Sequence, residues 1–100
     1  MTVPPTLPEQ PAKRFITAGS HRVCYVEGGR PELPKAILLH GWIASHALYR
    51  RVWAELGELF HFFALDLVGF GDSDKPSPAS VAYDAQFYAE QLRAFADALE

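Results

Sequence analysis

The chain has 100 residues, of which 49% are hydrophobic and 13% aromatic, and its formal net charge at pH 7 is −3. This length suits one small domain, and the apolar content excludes intrinsic disorder for most of the chain. The mildly acidic balance gives no reason to expect nucleic acid or an anionic membrane surface as a partner.

The first segment in chain order, residues 1–13, is rich in proline, and we expect it to be a flexible lead-in. It lacks the apolar core of a signal peptide, and no run elsewhere approaches the roughly 18 apolar residues of a membrane helix. The single cysteine, Cys24, cannot form an internal disulfide. These features favour a cytoplasmic protein.

Two short runs and one continuous apolar run come next. Arg14–Ala18 and His21–Glu27 are rich in residues that favour strands, and the glycine between them predicts a β-hairpin. The run Lys35–His40 is apolar without alternation, which is typical of a parallel strand buried on both faces.

A helix is then predicted from four apolar residues at helical spacing, Leu48, Val52, Leu56 and Phe60. His61–Val68 is a second apolar run of strand length, and a polar loop follows at about residues 69–82. A last helix is predicted from Tyr88, Leu92, Phe95 and Leu99, which share one face.

The order of these elements defines the fold class. The strand, helix and strand over residues 36–68 form a βαβ unit, which requires parallel pairing and a right-handed crossover. The sequence therefore predicts an α/β fold with an antiparallel hairpin leading into a parallel sheet.

The carboxyl ends of the two predicted parallel strands carry the candidate site, because open α/β sheets bind their ligands there. His40, Gly41 and Trp42 follow the first strand, and a glycine at this point lets the next amide face a crevice. A free N–H of this kind suits a developing oxyanion. The alternative is structural, because strands often end in glycine.

The second loop, residues 66–76 (DLVGFGDSDKP), follows the second strand. Asp66 and Ser73 can hydrogen-bond loop amides, and we interpret Asp66 as an organiser of the loop rather than a general base. A nucleotide site is excluded, because Asp74 stands where the dinucleotide fingerprint needs its third glycine and no helix follows.

Together these features resemble the α/β-hydrolase family, in the branch that contains esterases, epoxide hydrolases, haloalkane dehalogenases and C–C bond hydrolases. The resemblance rests on AILLHGW (36–42), YRRVWAEL (49–56) and FFALDLVGFGDSDKP (62–76), in this order and spacing. It implies that residues 14–100 are the N-terminal part of a hydrolase domain, a three-layer αβα sandwich when complete.

The resemblance also implies roles for the first loop. The backbone N–H of Trp42 would be one oxyanion-hole donor, with His40 and Gly41 shaping the turn. Dehalogenases of this branch usually have Asn at the position of Trp42, which argues mildly against that activity. No cofactor is implied, and the four histidines show no metal-ligand spacing with a carboxylate or thiol cluster.

The family's nucleophile lies on a Gly-x-Ser-x-Gly elbow, followed by the acid and the histidine, and none of the five serines here has those flanking glycines. We therefore expect the triad beyond residue 100, in a parent enzyme that hydrolyses a small, largely apolar substrate with an ester, epoxide or related bond. The 100 residues alone would be inactive. The alternative is a truncated, non-catalytic module that binds a ligand or a protein. A free edge on the strand after Lys35 would make the isolated chain prone to associate.

Overall fold

The computed structural model describes residues 11–41, 45–49 and 51–100 and contains one mixed sheet with helices against both faces. Most of the predicted lead-in, residues 1–10, lies outside the described residues. The elements are β1 (Arg14–Ala18), β2 (His21–Gly28), β3 (Lys35–Leu38), a 3-10 helix (His46–Tyr49), α1 (Trp53–Leu59), β4 (His61–Leu65) and α2 (Ala85–Ala98).

The strands are ordered β1-β2-β4-β3 in the sheet. β1 and β2 pair antiparallel as the predicted hairpin, and β2 also pairs antiparallel with β4. β3 and β4 pair parallel, with Lys35 opposite His61 and Leu38 opposite Ala64, which confirms the predicted βαβ unit. The carboxyl ends of β3 and β4 therefore lie side by side at one edge of the sheet.

Side chains of β4 alternate between two hydrophobic cores, as the two-residue period of a strand requires. Phe63 and Leu65 belong to the core that contains Phe95 of α2. Phe62 and Ala64 belong to the core that contains Trp53 of α1. The two helices thus cover opposite faces of the sheet, which gives the three layers of the predicted α/β fold.

The two apolar strands differ in burial although their sequences look alike. Every residue of β4 is buried, because β4 has a neighbouring strand on each side. β3 is only partly buried, since it is the outermost strand on its side of the described sheet. The prediction of a strand buried on both faces was therefore wrong for β3.

The first helix is shorter than predicted and presents a different residue to the core. α1 begins at Trp53, and Val52, placed by the prediction on the buried face, is 44% exposed. Trp53 is buried instead, because the residues before it form a separate 3-10 helix and a turn. Burying the Trp53 indole removes more apolar surface from water than burying the Val52 side chain would, so Trp53 faces the core despite the spacing on which the prediction relied.

α2 has a defined start and one buried polar side chain. The Asp84 carboxylate caps the helix by accepting a hydrogen bond from the N–H of Phe87, at 2.8 Å. Gln91, which is buried, donates to the backbone carbonyl of Ala18 at 2.9 Å and so ties the helix to the end of β1. Phe95 is fully buried and meets the Tyr25 ring edge-on.

We predict that Phe95→Ala lowers the free energy of unfolding by about 3–5 kcal/mol, because it leaves a cavity between α2 and the sheet. Leu59→Ala is the matched control, since Leu59 is 63% exposed, and it should change the stability by less than about 0.5 kcal/mol. Urea unfolding of both variants measures the difference. Equal losses would contradict the placement of α2 on the sheet.

Candidate functional site

The imidazole of His40 joins the loop after β3 to the loop after β4. The side chain is buried, and its Nε2 accepts a hydrogen bond from the backbone N–H of Leu67 at 2.9 Å. An Nε2 that accepts leaves Nδ1 protonated, and Nδ1 donates to the carbonyl of Gly41 at 2.8 Å. The ring also meets Phe70 edge-on, with centroids 5.4 Å apart. One neutral tautomer of His40 therefore fixes both loops relative to each other.

Of the other two residues of the predicted turn, Gly41 and Trp42, the structure describes only Gly41. Gly41 is exposed, and a Cβ added to it would meet no described atom within 4 Å. Trp42 lies outside the described residues, so its role as an oxyanion-hole donor stays a prediction. The Tyr49 hydroxyl donates to the carbonyl of Leu39, which adds a further tie at the end of β3.

Asp66 is the polar centre of this edge of the sheet, and its side chain is fully buried. Oδ1 accepts from the backbone N–H of His46 at 2.6 Å and lies 2.7 Å from the Nδ1 of the same residue. Oδ2 accepts from the backbone N–H of Asp72 at 2.8 Å. The prediction that Asp66 organises its loop is confirmed by these contacts.

The loop after β4 is held to β2 by polar contacts. Ser73 Oγ accepts from the N–H of Cys24 at 2.9 Å and donates to the carbonyl of Asp66 at 2.6 Å. The carboxylate of Asp74 accepts from the N–H of Arg22 at 2.8 Å. The loop thus continues the edge of the sheet beyond β4 and satisfies backbone groups of β2 that β4 does not reach.

Gly71 is required by the carboxylate that it covers. Its φ is +55°, and a Cβ at this position would lie 2.2 Å from Oδ2 of Asp66. Residues with a side chain rarely adopt this backbone conformation, and the fully buried Asp66 carboxylate occupies the space that a Cβ would need.

The fold also brings together a thiol, an imidazole and a carboxylate that the sequence does not associate. Ligand atoms of Cys24, His46 and Asp66 all lie within 4.8 Å of one another, and all three residues are buried. Twenty residues separate His46 from Asp66, so no local spacing could have indicated this cluster.

This cluster is unsuited to nucleophilic catalysis. Burial, together with the nearby Asp66 carboxylate, raises the pKa of the Cys24 thiol to about 11. A reactive cysteine needs a lowered pKa and access to solvent, and Cys24 has neither. The histidine and the aspartate of the cluster both precede any position at which the family places its nucleophile.

An apolar cavity of about 340 Å³ lies beside the loop after β4. Two tyrosines in its wall have their hydroxyl groups engaged: Tyr83 donates to the carbonyl of Pro76, and Tyr88 to that of Val68 at 2.8 Å. Phe70 also lines the cavity and makes the edge-on contact with His40. The lining is Gly69, Phe70, Lys75, Pro76, Pro78, Tyr83 and Tyr88.

Known proteins share this arrangement of sheet, helices and loops. A family model described as the alpha/beta hydrolase fold matches residues 37–100. The chain belongs to the α/β-hydrolase fold family. The resemblance inferred from AILLHGW and DLVGFGDSDKP is thereby confirmed.

Individual known proteins match most of this chain. The mesoderm-specific transcript protein of Mus musculus is 39% identical over 70 residues, which are 65% of this chain and 20% of that protein. A haloalkane dehalogenase of Sphingobium indicum is 33% identical over 87 residues, 87% of this chain and 28% of that protein. The crystal structure of a membrane phospholipase A, a bacterial virulence factor, gives a TM-score of 0.81 at 35% identity and covers 88% of this chain.

The chain spans between 20% and 28% of the length of these three proteins. In the part that the structure describes, no helix is long and apolar enough to cross a membrane.

We predict that Gly71→Ala destabilises the protein by about 1–3 kcal/mol, because the residue must keep a left-handed backbone against the buried carboxylate. Gly57→Ala is the control, because Gly57 lies inside α1 and an added Cβ makes only ordinary contacts, the nearest at 3.4 Å. That change should stabilise the protein by up to about 1 kcal/mol, since alanine favours a helix. Thermal unfolding of the two variants tests this, and a Gly71→Ala protein as stable as the wild type would contradict it.

Proposed function

We propose that the protein is a hydrolase that acts on a small, largely apolar substrate with an ester, epoxide or related bond. The nucleophile, histidine and acid of its triad would lie beyond residue 100, and the backbone N–H of Trp42 would supply part of the oxyanion hole. Family membership supports hydrolysis in general, and the proposal adds the reaction type and the roles of residues.

The observation that carries the proposal is the hydrogen bonding of His40. An oxyanion donor is effective only if it is held in position before the reaction, because then no reorganisation is needed in the transition state. His40 binds the N–H of Leu67 on one side and the carbonyl of Gly41 on the other, at 2.9 and 2.8 Å. The residue before the proposed donor is thereby anchored to the neighbouring strand's loop.

The apolar lining of the cavity supports the substrate class. The wall formed by Phe70, Tyr83 and Tyr88 offers aromatic surface, and the two phenol groups are already engaged in hydrogen bonds with the protein. A pocket of this size and polarity suits an apolar group of a small ligand. The dehalogenase and phospholipase that resemble this chain indicate that members of the family cleave different bonds.

The cavity also favours a second candidate function, that of a module that binds an apolar ligand and catalyses no reaction. Sequencing the coding DNA through and past the codon for Glu100 distinguishes the two. An in-frame strand followed by a Gly-x-Ser/Asp/Cys-x-Gly elbow supports the enzyme, and its middle residue identifies the nucleophile. A stop codon at that point would refute the enzyme and favour the binding module.

A cytoplasmic location remains part of the proposal, supported by the single, buried Cys24.

In the complete gene product, we predict that His40→Ala lowers kcat for a p-nitrophenyl ester about 10- to 100-fold while KM hardly changes. The loss is smaller than the 10²–10³ of a deleted donor, because the Trp42 N–H is displaced rather than removed. His40 is a positioning residue, so a split between kcat and KM is the informative readout.

His61→Gln is the matched control, because His61 is another buried histidine but lies at the start of β4, away from the proposed site. Its kcat should equal that of the wild type once thermal melting shows that the variant is folded. Unchanged kcat in His40→Ala, or equal losses in both variants, would contradict the role proposed for His40.

A further inference from the structure

We propose that Cys24, His46 and Asp66 form a binding site for a transition-metal dication of the zinc type. The three ligands would be the Cys24 thiolate, a ring nitrogen of His46 and a carboxylate oxygen of Asp66, with a water at the fourth position. Asp66 precedes Leu67, whose N–H binds His40 of the proposed catalytic loop, but the metal site does not depend on the proposed hydrolysis.

The set of donor atoms matches the preferences of zinc. Zinc binds thiolate, imidazole and carboxylate in tetrahedral sites, and three protein ligands with one open position are a common arrangement. Here the three donors come from separate parts of the fold: β2, the 3-10 helix and the residue after β4. All three residues are buried, so the donors do not simply face solvent as exposed acidic groups do.

The distances are close to what a metal needs. Tetrahedral coordination at zinc bond lengths of about 2.0–2.3 Å places ligand atoms about 3.4–3.6 Å apart. The donor atoms of the cluster lie within 4.8 Å of one another, so the longest of these separations would shorten by up to about 1.3 Å on metal binding. Nδ1 of His46 and Oδ1 of Asp66 are 2.7 Å apart, so this pair would separate by about 0.7 Å as the metal replaces the proton between them.

The charges also balance. The carboxylate and the thiolate together carry two negative charges, which a dication neutralises in a buried site where unpaired charge is costly. Burial raises the pKa of Cys24 to about 11, so the thiol is protonated at neutral pH without a metal. Metal binding forms the sulfur–metal bond and releases that thiol proton to solvent, and the His46 ring nitrogen that binds the metal must be unprotonated.

Trp53 packs against His46 and offers a fluorescence signal for changes at the cluster. The Trp53 ring stacks on the His46 ring, with centroids 6.4 Å apart and planes only 6° from parallel. The Trp53 side chain is buried, and its Nε1–H has no hydrogen-bond acceptor among the described residues. A change at His46 would therefore alter the fluorescence emission of Trp53.

The test is a titration of the full chain with cobalt(II), followed by displacement with zinc(II). We expect one cobalt per chain and a near-ultraviolet charge-transfer band from thiolate to cobalt, which zinc abolishes. Because Cys24 is the only cysteine, such a band can arise only from this residue. The apparent Kd for zinc should fall about tenfold from pH 7 to pH 8, since one thiol proton is released.

Two variants and a control make the titration decisive. Cys24→Ser should lose the band, and both Cys24→Ser and His46→Gln should weaken zinc binding by at least about 100-fold, more than the loss of an outer-shell partner causes. His61→Gln, a buried histidine outside the cluster, should bind as the wild type does. If Cys24→Ser fails to fold, His46→Gln and the pH dependence of the wild type still test the site.

Several results would overturn the proposal. Cobalt binding without the thiolate band would show adventitious binding to other side chains, as would an affinity that hardly changes between pH 7 and pH 8. Equal affinity in the wild type and His46→Gln would have the same meaning. No binding by the wild type at millimolar metal would refute the site outright.

Discussion

The fully buried carboxylate of Asp66 is the constraint on which the rest of this site depends. A buried charge is tolerated only when hydrogen bonds replace its water, and Asp66 receives N–H groups from His46 and Asp72. The first donor begins the 3-10 helix and the second lies in the loop after β4, so satisfying one charge fixes both segments against the end of β4. Gly71 is needed for the same reason, because only a residue without a side chain fits against Oδ2.

The strands and α2 could be predicted from the sequence, because their patterns match the periods of the structures that they form. The hairpin β1–β2, the parallel pair β3–β4 and α2 follow apolar runs bounded by glycine, proline or polar residues. The first helix could not be predicted as well, because Val52 and Trp53 are adjacent and a helix with either one facing the core has nearly the same spacing of apolar residues. Trp53 rather than Val52 faces the core, and the contacts of His46 with Asp66 belong to a 3-10 helix.

The candidate site was predictable only where its residues follow the strands directly. His40 and Asp66 could be located, because the carboxyl ends of parallel strands are where α/β proteins bind ligands. That His40 accepts from Leu67, and that His46 meets both Asp66 and Cys24, depends on contacts between distant segments. No pattern in one sequence contains such information. The oxyanion donor expected at Trp42 remains a proposal.

The most direct test of this account is the stability of Asp66→Asn in metal-free protein, compared with Asp97→Asn at an exposed position of α2. Asparagine keeps the shape but turns an accepting oxygen into a donating amide that faces existing N–H groups. We expect Asp66→Asn to lower the free energy of unfolding by at least about 2 kcal/mol, the range of hydrogen bonds to charged groups. Amide hydrogen exchange at His46 and Asp72 should accelerate with it. A loss no larger than that of Asp97→Asn, with exchange at both amides unchanged, would contradict the central role of Asp66.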